Sequence, residues 1–236
     1  MGYVDSWSQR YRGLDLGPYS LLLARLLVRR RAVYLGAGLV VAVLVLRVAQ
    51  FLLDSDSPLW PVLLTALVAF AAGIALLVQR HGDARVAAMQ REHVDRHEPV
   101  DSAAVIGRRT RILLVVSYVG AALLGFAGLL SGGDIVQSVV FLVGVALLAA
   151  IAFASLRSAL TRAPIAVDHG SLQADDLLRV NDARHAAVAY PVLLALVTMA
   201  SPSSVWLLTV YTAVSAVISV FAMAHEPLTP KVPVTR

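Results

Sequence analysis

Four charged residues in the second half of the chain have the spacing of a magnesium site. Asp175, Asp176, Arg179 and Asp182 form the pattern D-D-x-x-R-x-x-D. Paired aspartates can hold magnesium and a diphosphate, as in membrane prenyl transferases. That chemistry needs a second aspartate motif on another loop, which the sequence lacks. Ion pairs within one helix, with negative charge near its N-terminus, explain the pattern more simply.

Two histidines one helical turn apart form a second candidate site, for a metal ion. His93 and His97 stand in the run EHVDRHEPVD, and histidines at this spacing can share a zinc ion. The run lacks the HExxH order in which a zinc hydrolase places its glutamate. A solvated charged helix accounts for it equally well, so the sequence predicts no metal site and no cofactor.

Arg47 is a basic residue inside a long apolar segment, and Gln50 and Asp54 follow it at i+3 and i+7 on the same helical face. A charge inside the membrane is costly unless it is paired. This polar patch either lines an outward cavity that binds an anionic group, or pairs Arg47 with Asp54 or Asp134. The second interpretation is favoured, because a long arginine side chain can extend toward the membrane surface.

Hydroxyl side chains form a stripe on the last apolar segment. Thr209, Thr212, Ser215 and Ser219 are spaced three to four residues apart, on one face of a helix. Such a stripe could line a polar pathway across the membrane. More often, small hydroxyls in a membrane helix pack against a neighbouring helix and hydrogen-bond to it, and the packing interpretation is favoured here.

The composition is that of a membrane protein. Of the 236 residues, 58% are hydrophobic and 15% are charged, whereas soluble proteins carry about 25% charged residues. The net charge is +5, but the basic residues lie in short stretches beside apolar segments. This distribution indicates membrane topology and contact with anionic headgroups rather than nucleic-acid binding. Without cysteine, the chain has no disulfide, no thiolate metal site and no cysteine nucleophile.

Six segments are long and apolar enough to cross a bilayer, whose core needs about 20 helical residues. They are residues 32–53, 60–78, 112–130, 135–154, 185–200 and 205–224. The basic residues other than Arg47 fall before the first segment, in the two long linkers and in the C-terminal tail, whereas the three short loops carry none. By the positive-inside rule, the basic stretches face the cytoplasm. The predicted fold is therefore all-α, with six transmembrane helices as three hairpins and both termini cytoplasmic.

A division of the chain follows from these spans. Residues 1–31 form a cytoplasmic N-terminal segment, residues 32–224 the transmembrane domain with cytoplasmic linkers at 80–111 and 155–184, and residues 225–236 a cytoplasmic tail. The sequence PYSLLLARLLVRRR before the first span has the leucines and arginines of an interfacial helix. The alternative is that the first span simply begins earlier.

This order of parts resembles the transmembrane subunits of ABC-2 type exporters. These have an amphipathic helix before the first of six spans, and inter-span helices that dock on an ATPase. The resemblance covers most of the chain as architecture, and it assigns no functional residue. About four residues, 201–204, replace the re-entrant segment that such permeases have between spans five and six, which argues against a full substrate-translocating role. The segment PIAVDHGSLQADDLLRVNDARHAA also resembles a stretch of uncharacterised six-span membrane proteins of high-GC bacteria.

The sequence thus predicts a non-catalytic, multi-pass component of a transport system in the bacterial inner membrane. It would be permease-like, or an accessory subunit that docks a cytoplasmic ATPase or another membrane subunit. The candidate docking residues are Arg85, Arg91, Asp175, Asp176 and Arg179. The alternative is a stand-alone regulatory or scaffold membrane protein without transport activity. No assembled nucleophile, metal set or acid pair points to an enzyme.

Overall fold

A computed structural model describes residues 18–53, 57, 59–89, 105–131, 134–186, 190–199 and 205–224. Within these residues the chain is helical and contains no strand. The helices, numbered in chain order, are α1 Tyr19–Leu52, α2 Leu59–Ala88, α3 Arg108–Leu130, α4 Ile135–Thr161, α5 His169–Ala186, α6 Tyr190–Thr198 and α7 Val205–Ala224.

Four helices, α1 to α4, are long and apolar enough to cross a membrane. They contain the first four predicted spans, and the all-α class and the membrane character predicted from the sequence are confirmed to that extent. Their outer faces carry exposed leucine, valine and phenylalanine side chains. Apolar residues on the outside as well as the inside are expected of helices that face lipid.

Three of these helices are longer than a bilayer requires. At 1.5 Å per residue, the 34 residues of α1 extend over about 51 Å, against a hydrocarbon core of about 30 Å. The segment PYSLLLARLLVRRR contributes the first turns of this uninterrupted helix. The start of α1, the end of α2, the start of α3 and the end of α4 lie at the same end of the bundle and carry the arginines of these helices other than Arg47. We call this the basic end.

The region of the predicted fifth span is divided between two helices. The polar helix α5 packs on the basic end, whereas α6 has only nine residues and is about 14 Å long. At the opposite end of the bundle, the side-chain amide of Gln137, in the first turn of α4, donates to the carbonyl of Thr198. The chain from α5 to the end of α6 therefore runs from the basic end to the opposite end, although α6 alone is too short to span a bilayer.

The interior between the helices is closely packed. Its apolar core joins residues of α1 to α4, α6 and α7, among them Val68, Phe141 and Leu194. A Cβ atom added at Gly144 would lie 2.6 Å from Thr65 Cγ2 and 2.7 Å from Leu194 Cδ2. Only glycine allows so close an approach of α4 to its neighbours, as small residues do at other membrane helix interfaces.

Candidate functional site

A buried network of charged side chains lies at the basic end. It contains four arginines and three aspartates, which come from α1, α2, α5 and the turn after α4: Arg25, Arg29, Asp83, Arg162, Asp175, Arg179 and Asp182. All of them except Arg162 are buried, and the Arg162 side chain is 15% exposed. Buried charges are costly unless each is paired and hydrogen-bonded, so the geometry of each pair matters.

Arg29 of α1 joins the two carboxylates that come from α2 and α5. Its Nε and Nη2 atoms donate to the two oxygens of Asp182 at 2.9 and 2.7 Å. Its Nη1 and Nη2 atoms donate to the two oxygens of Asp83 at 3.2 Å each. A planar guanidinium is the group that can make such paired contacts on two sides at once. Arg29 therefore fixes three helices relative to one another.

Asp175 is the second centre of the network and is fully buried. Its carboxylate accepts from Arg25 Nη2 at 2.5 Å and from Arg179 Nε at 2.7 Å. The Nη2 atom of Arg162 lies 3.5 Å from Asp175 Oδ1. The Nη1 atom of Arg162 donates to Asp83 at 2.5 Å and to Asp182 at 3.0 Å. Arg162 thus connects all three aspartates.

Arg179 attaches α5 to the end of α4. Its Nη1 atom donates to the carbonyl of Ala159 at 2.8 Å, and Nη2 donates to the carbonyl of Arg162 at 2.7 Å. The last carbonyls of a helix have no partner within the helix and carry partial negative charge, so a cation there both bonds and neutralises them. At the start of α5, the Asp168 carboxylate accepts a hydrogen bond from the backbone N–H of Ser171 at 2.7 Å and caps the helix.

Two carboxyl groups in the network have shifted pKa values. Burial alone would raise the pKa of Asp175, but the guanidinium groups of Arg25, Arg162 and Arg179 outweigh burial and lower it to about 2. Burial likewise opposes ionisation of Asp182, and Arg29 and Arg162 lower its pKa below the usual range. Both aspartates are therefore ionised at neutral pH, and neither is suited to carry a proton there.

This protonation state predicts how stability depends on pH. Because the folded pKa of Asp175 lies below the unfolded value of about 3.9, its ionised form contributes stability that is fully present above about pH 4 and lost as pH falls toward about 2. We expect the thermal midpoints of the wild type and the Asp175→Asn variant in detergent to differ by a constant amount from pH 8 to pH 5, and to converge below about pH 4. If the two thermal midpoints already converged between pH 8 and pH 6, the lowered pKa of Asp175 would be contradicted.

The network holds together residues that sequence reasoning considered separately or missed. The sequence shows Asp175, Arg179 and Asp182 as one pattern, but it does not connect them with Arg25, Arg29, Asp83 and Arg162. One feature of the sequence does indicate the network: Arg25 and Arg29 stand at i, i+4 on an otherwise leucine-rich helix face. Within the described residues, no group of three or more histidine and acidic side chains could hold a metal ion.

The candidate docking residues differ in accessibility. Arg85 is exposed on α2, and Asp176 is partly exposed on α5. Asp175 and Arg179 are 0% exposed and engaged in the network, so a partner could reach these two side chains only if the network opened. Arg91, His93 and His97 lie outside the described residues.

The polar patch of the first span is partly described. Arg47 Nη1 donates to the Gln50 side chain at 2.5 Å. Asp54 lies outside the described residues. Asp134 caps the start of α4, since its carboxylate accepts from the backbone N–H of Gln137 at 3.2 Å. In the part of the chain that the structure describes, the polar contact of Arg47 is therefore with its own helix, and that of Asp134 is with α4.

The hydroxyl stripe of α7 is divided between the interior and the surface. Ser215 is buried, Thr212 and Ser219 are partly buried, and Thr209 is exposed. Beside Ser215, the Tyr211 hydroxyl donates to the carbonyl of Ser117 on α3 at 2.8 Å. The Ser219 hydroxyl donates to the carbonyl of Ser215 within its own helix at 2.7 Å. Of these two hydrogen bonds, that of Tyr211 joins α7 to a neighbouring helix.

Comparison with known proteins adds no identification, since no family model, curated protein or solved structure matches the chain.

Proposed function

We propose that this chain is a non-catalytic accessory subunit of a transport system in the bacterial plasma membrane. In this proposal the chain crosses the membrane six times, the fifth time through the end of α5 and α6, and both termini face the cytoplasm. The positive-inside rule supports this orientation, because the arginines gather at one end of the bundle. The basic end is then the cytoplasmic surface.

The observation that carries the accessory role is the charged network. α5 is a polar helix, and its arginine and aspartates lock it onto α1, α2 and the end of α4. Paired, hydrogen-bonded charges of this kind fix the relative positions of elements more than they add stability. A helix held rigidly at the cytoplasmic surface gives a partner a preformed docking face, and preorganisation lowers the entropic cost of binding.

The packed interior favours an accessory subunit over a permease. The end of the α6 segment fills the space beside α3 and α4: a Cβ atom at Gly128 would lie 2.7 Å from Ser138 Oγ and 2.9 Å from Met199 Cε. The buried hydroxyls of α7 adjoin a tyrosine that bonds to α3. A transported solute would need these contacts to separate.

Affinity purification tests the docking role. We expect the tagged protein, extracted from its native membrane in mild detergent, to co-purify with a nucleotide-binding ATPase in stoichiometric amount. Charge reversal at the exposed residue Arg85 should reduce the amount of ATPase that co-purifies, because charges at the rim of an interface steer association with a complementary partner. Arg111→Glu is the matched control: Arg111 is also exposed at the basic end, but it lies on α3, a helix of the basic end that contributes no residue to the network.

A stand-alone scaffold or regulatory membrane protein is the second candidate. The observation that favours it is that the arginines and aspartates of the network bond to one another and to backbone carbonyls within this chain. Elution of the wild-type protein without any stoichiometric partner, in repeated purifications, would reject the transport subunit and support the scaffold.

A further inference from the structure

A cavity of about 220 Å³ opens beside the network, between the last turns of α2 and α4. Its lining includes polar side chains of both helices and of the network: Gln79, Arg80, Asp83, Ser155, Ser158, Arg162 and Asp182. Apolar side chains, among them Leu76 and Ile165, form the rest of its surface. The cavity thus adjoins the network and has a mixed polar and apolar lining.

Several residues that line this cavity have a hydrogen-bond donor without a protein partner in the described part of the chain. The Nε atom of Arg162 is buried and has no hydrogen-bond partner among the described residues. The partly exposed side chains of Gln79, Ser155 and Ser158 also make no hydrogen bond within the described part of the chain. Buried donors are normally satisfied, so an unmatched guanidinium N–H with further free donors around one space is suited to a ligand that accepts hydrogen bonds.

The local charge favours an anion. The network contains four arginines and three aspartates, one positive charge in excess, and Arg80 at the mouth of the cavity adds another. Asp83 and Asp182 also line the cavity, but all four of their carboxylate oxygens accept hydrogen bonds from Arg29 or Arg162. Their charge is already compensated.

The position of the cavity along the helices indicates its depth in the membrane. Gln79 and Arg80 directly follow the apolar residues 60–78, and Ser155 directly follows the apolar residues 135–154. The cavity therefore lies where the apolar part of the bundle ends, at the level of lipid headgroups. Leu77 and Phe153, two positions before Gln79 and Ser155, are 64% and 65% exposed and offer apolar surface to lipid chains.

We propose that this cavity binds the phosphate group of an anion, which its depth identifies as the headgroup of an anionic phospholipid. Arg80 and Arg162 would supply charge-assisted hydrogen bonds to the phosphate oxygens, and the two serines and Gln79 would complete the donors. The site is independent of the docking role proposed above, since it requires no protein partner.

Native mass spectrometry of the delipidated protein tests this site by titration with three probes. These are dioleoylphosphatidylglycerol, dioleoylphosphatidylcholine and inorganic phosphate. Arg80→Gln removes a charged donor, and Ser155→Leu fills the cavity without changing charge. Both positions lie outside the seven-residue network, so the folded bundle should persist, as a thermal midpoint close to that of the wild type would show. Arg85→Gln is the control for loss of one exposed arginine on the same helix.

We expect phosphatidylglycerol to bind the wild type and Arg85→Gln alike, and to bind each of the two cavity variants about tenfold more weakly. Arg80→Gln loses a charge-assisted hydrogen bond, and Ser155→Leu occupies the space of the ligand. Phosphatidylcholine should bind more weakly than phosphatidylglycerol. If inorganic phosphate instead shows this pattern and the lipid does not, the phosphate site stands and its ligand is soluble. The proposal would be overturned if the wild type and the three variants bound phosphatidylglycerol equally well and also bound phosphate equally well. It would also be overturned if none of the four proteins bound either ligand.

Discussion

Replacement of Arg29 by methionine is expected to destabilise the protein by about 3 to 5 kcal/mol, the cost of leaving buried carboxylates without their partner. Methionine keeps an unbranched side chain at this position and removes its charge. Asp182 would lose the two short hydrogen bonds from Arg29, and Asp83 would lose the two at 3.2 Å. The free energy of unfolding, measured by titration with sodium dodecyl sulfate in a neutral detergent, reports this loss.

Arg31→Met is the matched control, since Arg31 lies two residues later on the same helix and is exposed. It should change stability by less than about 1 kcal/mol, as surface charges usually do. The double variant Arg29→Met with Asp182→Leu should be more stable than Arg29→Met alone, because it also removes the buried carboxylate that loses its two short hydrogen bonds. Equal stability of the wild type and Arg29→Met would refute the structural role of the network.

The pairing of these charges could not be read from the sequence. Arg29 meets Asp83 and Asp182, which lie 54 and 153 positions further along the chain. A local pattern shows only that Arg25 and Arg29 share a helical face and that Asp175 and Arg179 can pair at i, i+4. Which helix ends come together depends on the packing of the bundle, so residues that a sequence places in separate linkers become one site.

The length of the apolar segments predicts α1 to α4 reliably. A membrane-crossing segment must be helical to satisfy its backbone hydrogen bonds, and it needs about 20 apolar residues to cross the hydrocarbon core. Apolar length is a weaker guide at residues 185–200. There the predicted span comprises the end of the polar helix α5 and the nine residues of α6. Tyr190 and Thr198 contact other helices. A segment enclosed by protein does not need the uniform apolarity on which span prediction depends.

The contact between α1 and α2 at the basic end gives the other large effect. A Cβ atom at Gly82 would meet the side chain of Val28, lying 2.6 Å from Cγ2 and 3.0 Å from Cβ. Valine is branched at Cβ and has little rotational freedom in a helix, so it cannot move aside. Gly82→Leu should therefore separate the helices and destabilise the protein by about 3 kcal/mol, which the same detergent titration would measure.

The separation would also weaken the network, because Val28 and Gly82 directly adjoin Arg29 and Asp83 in the chain. We thus expect the change Arg29→Met to cost less stability in the Gly82→Leu background than in the wild type, because two changes that act on one contact are not additive. Gly38→Leu is the control on α1, since a Cβ atom there has no neighbour within 4 Å. An equal loss of stability from Gly38→Leu and Gly82→Leu would show that helix approach at Gly82 is not what positions the network.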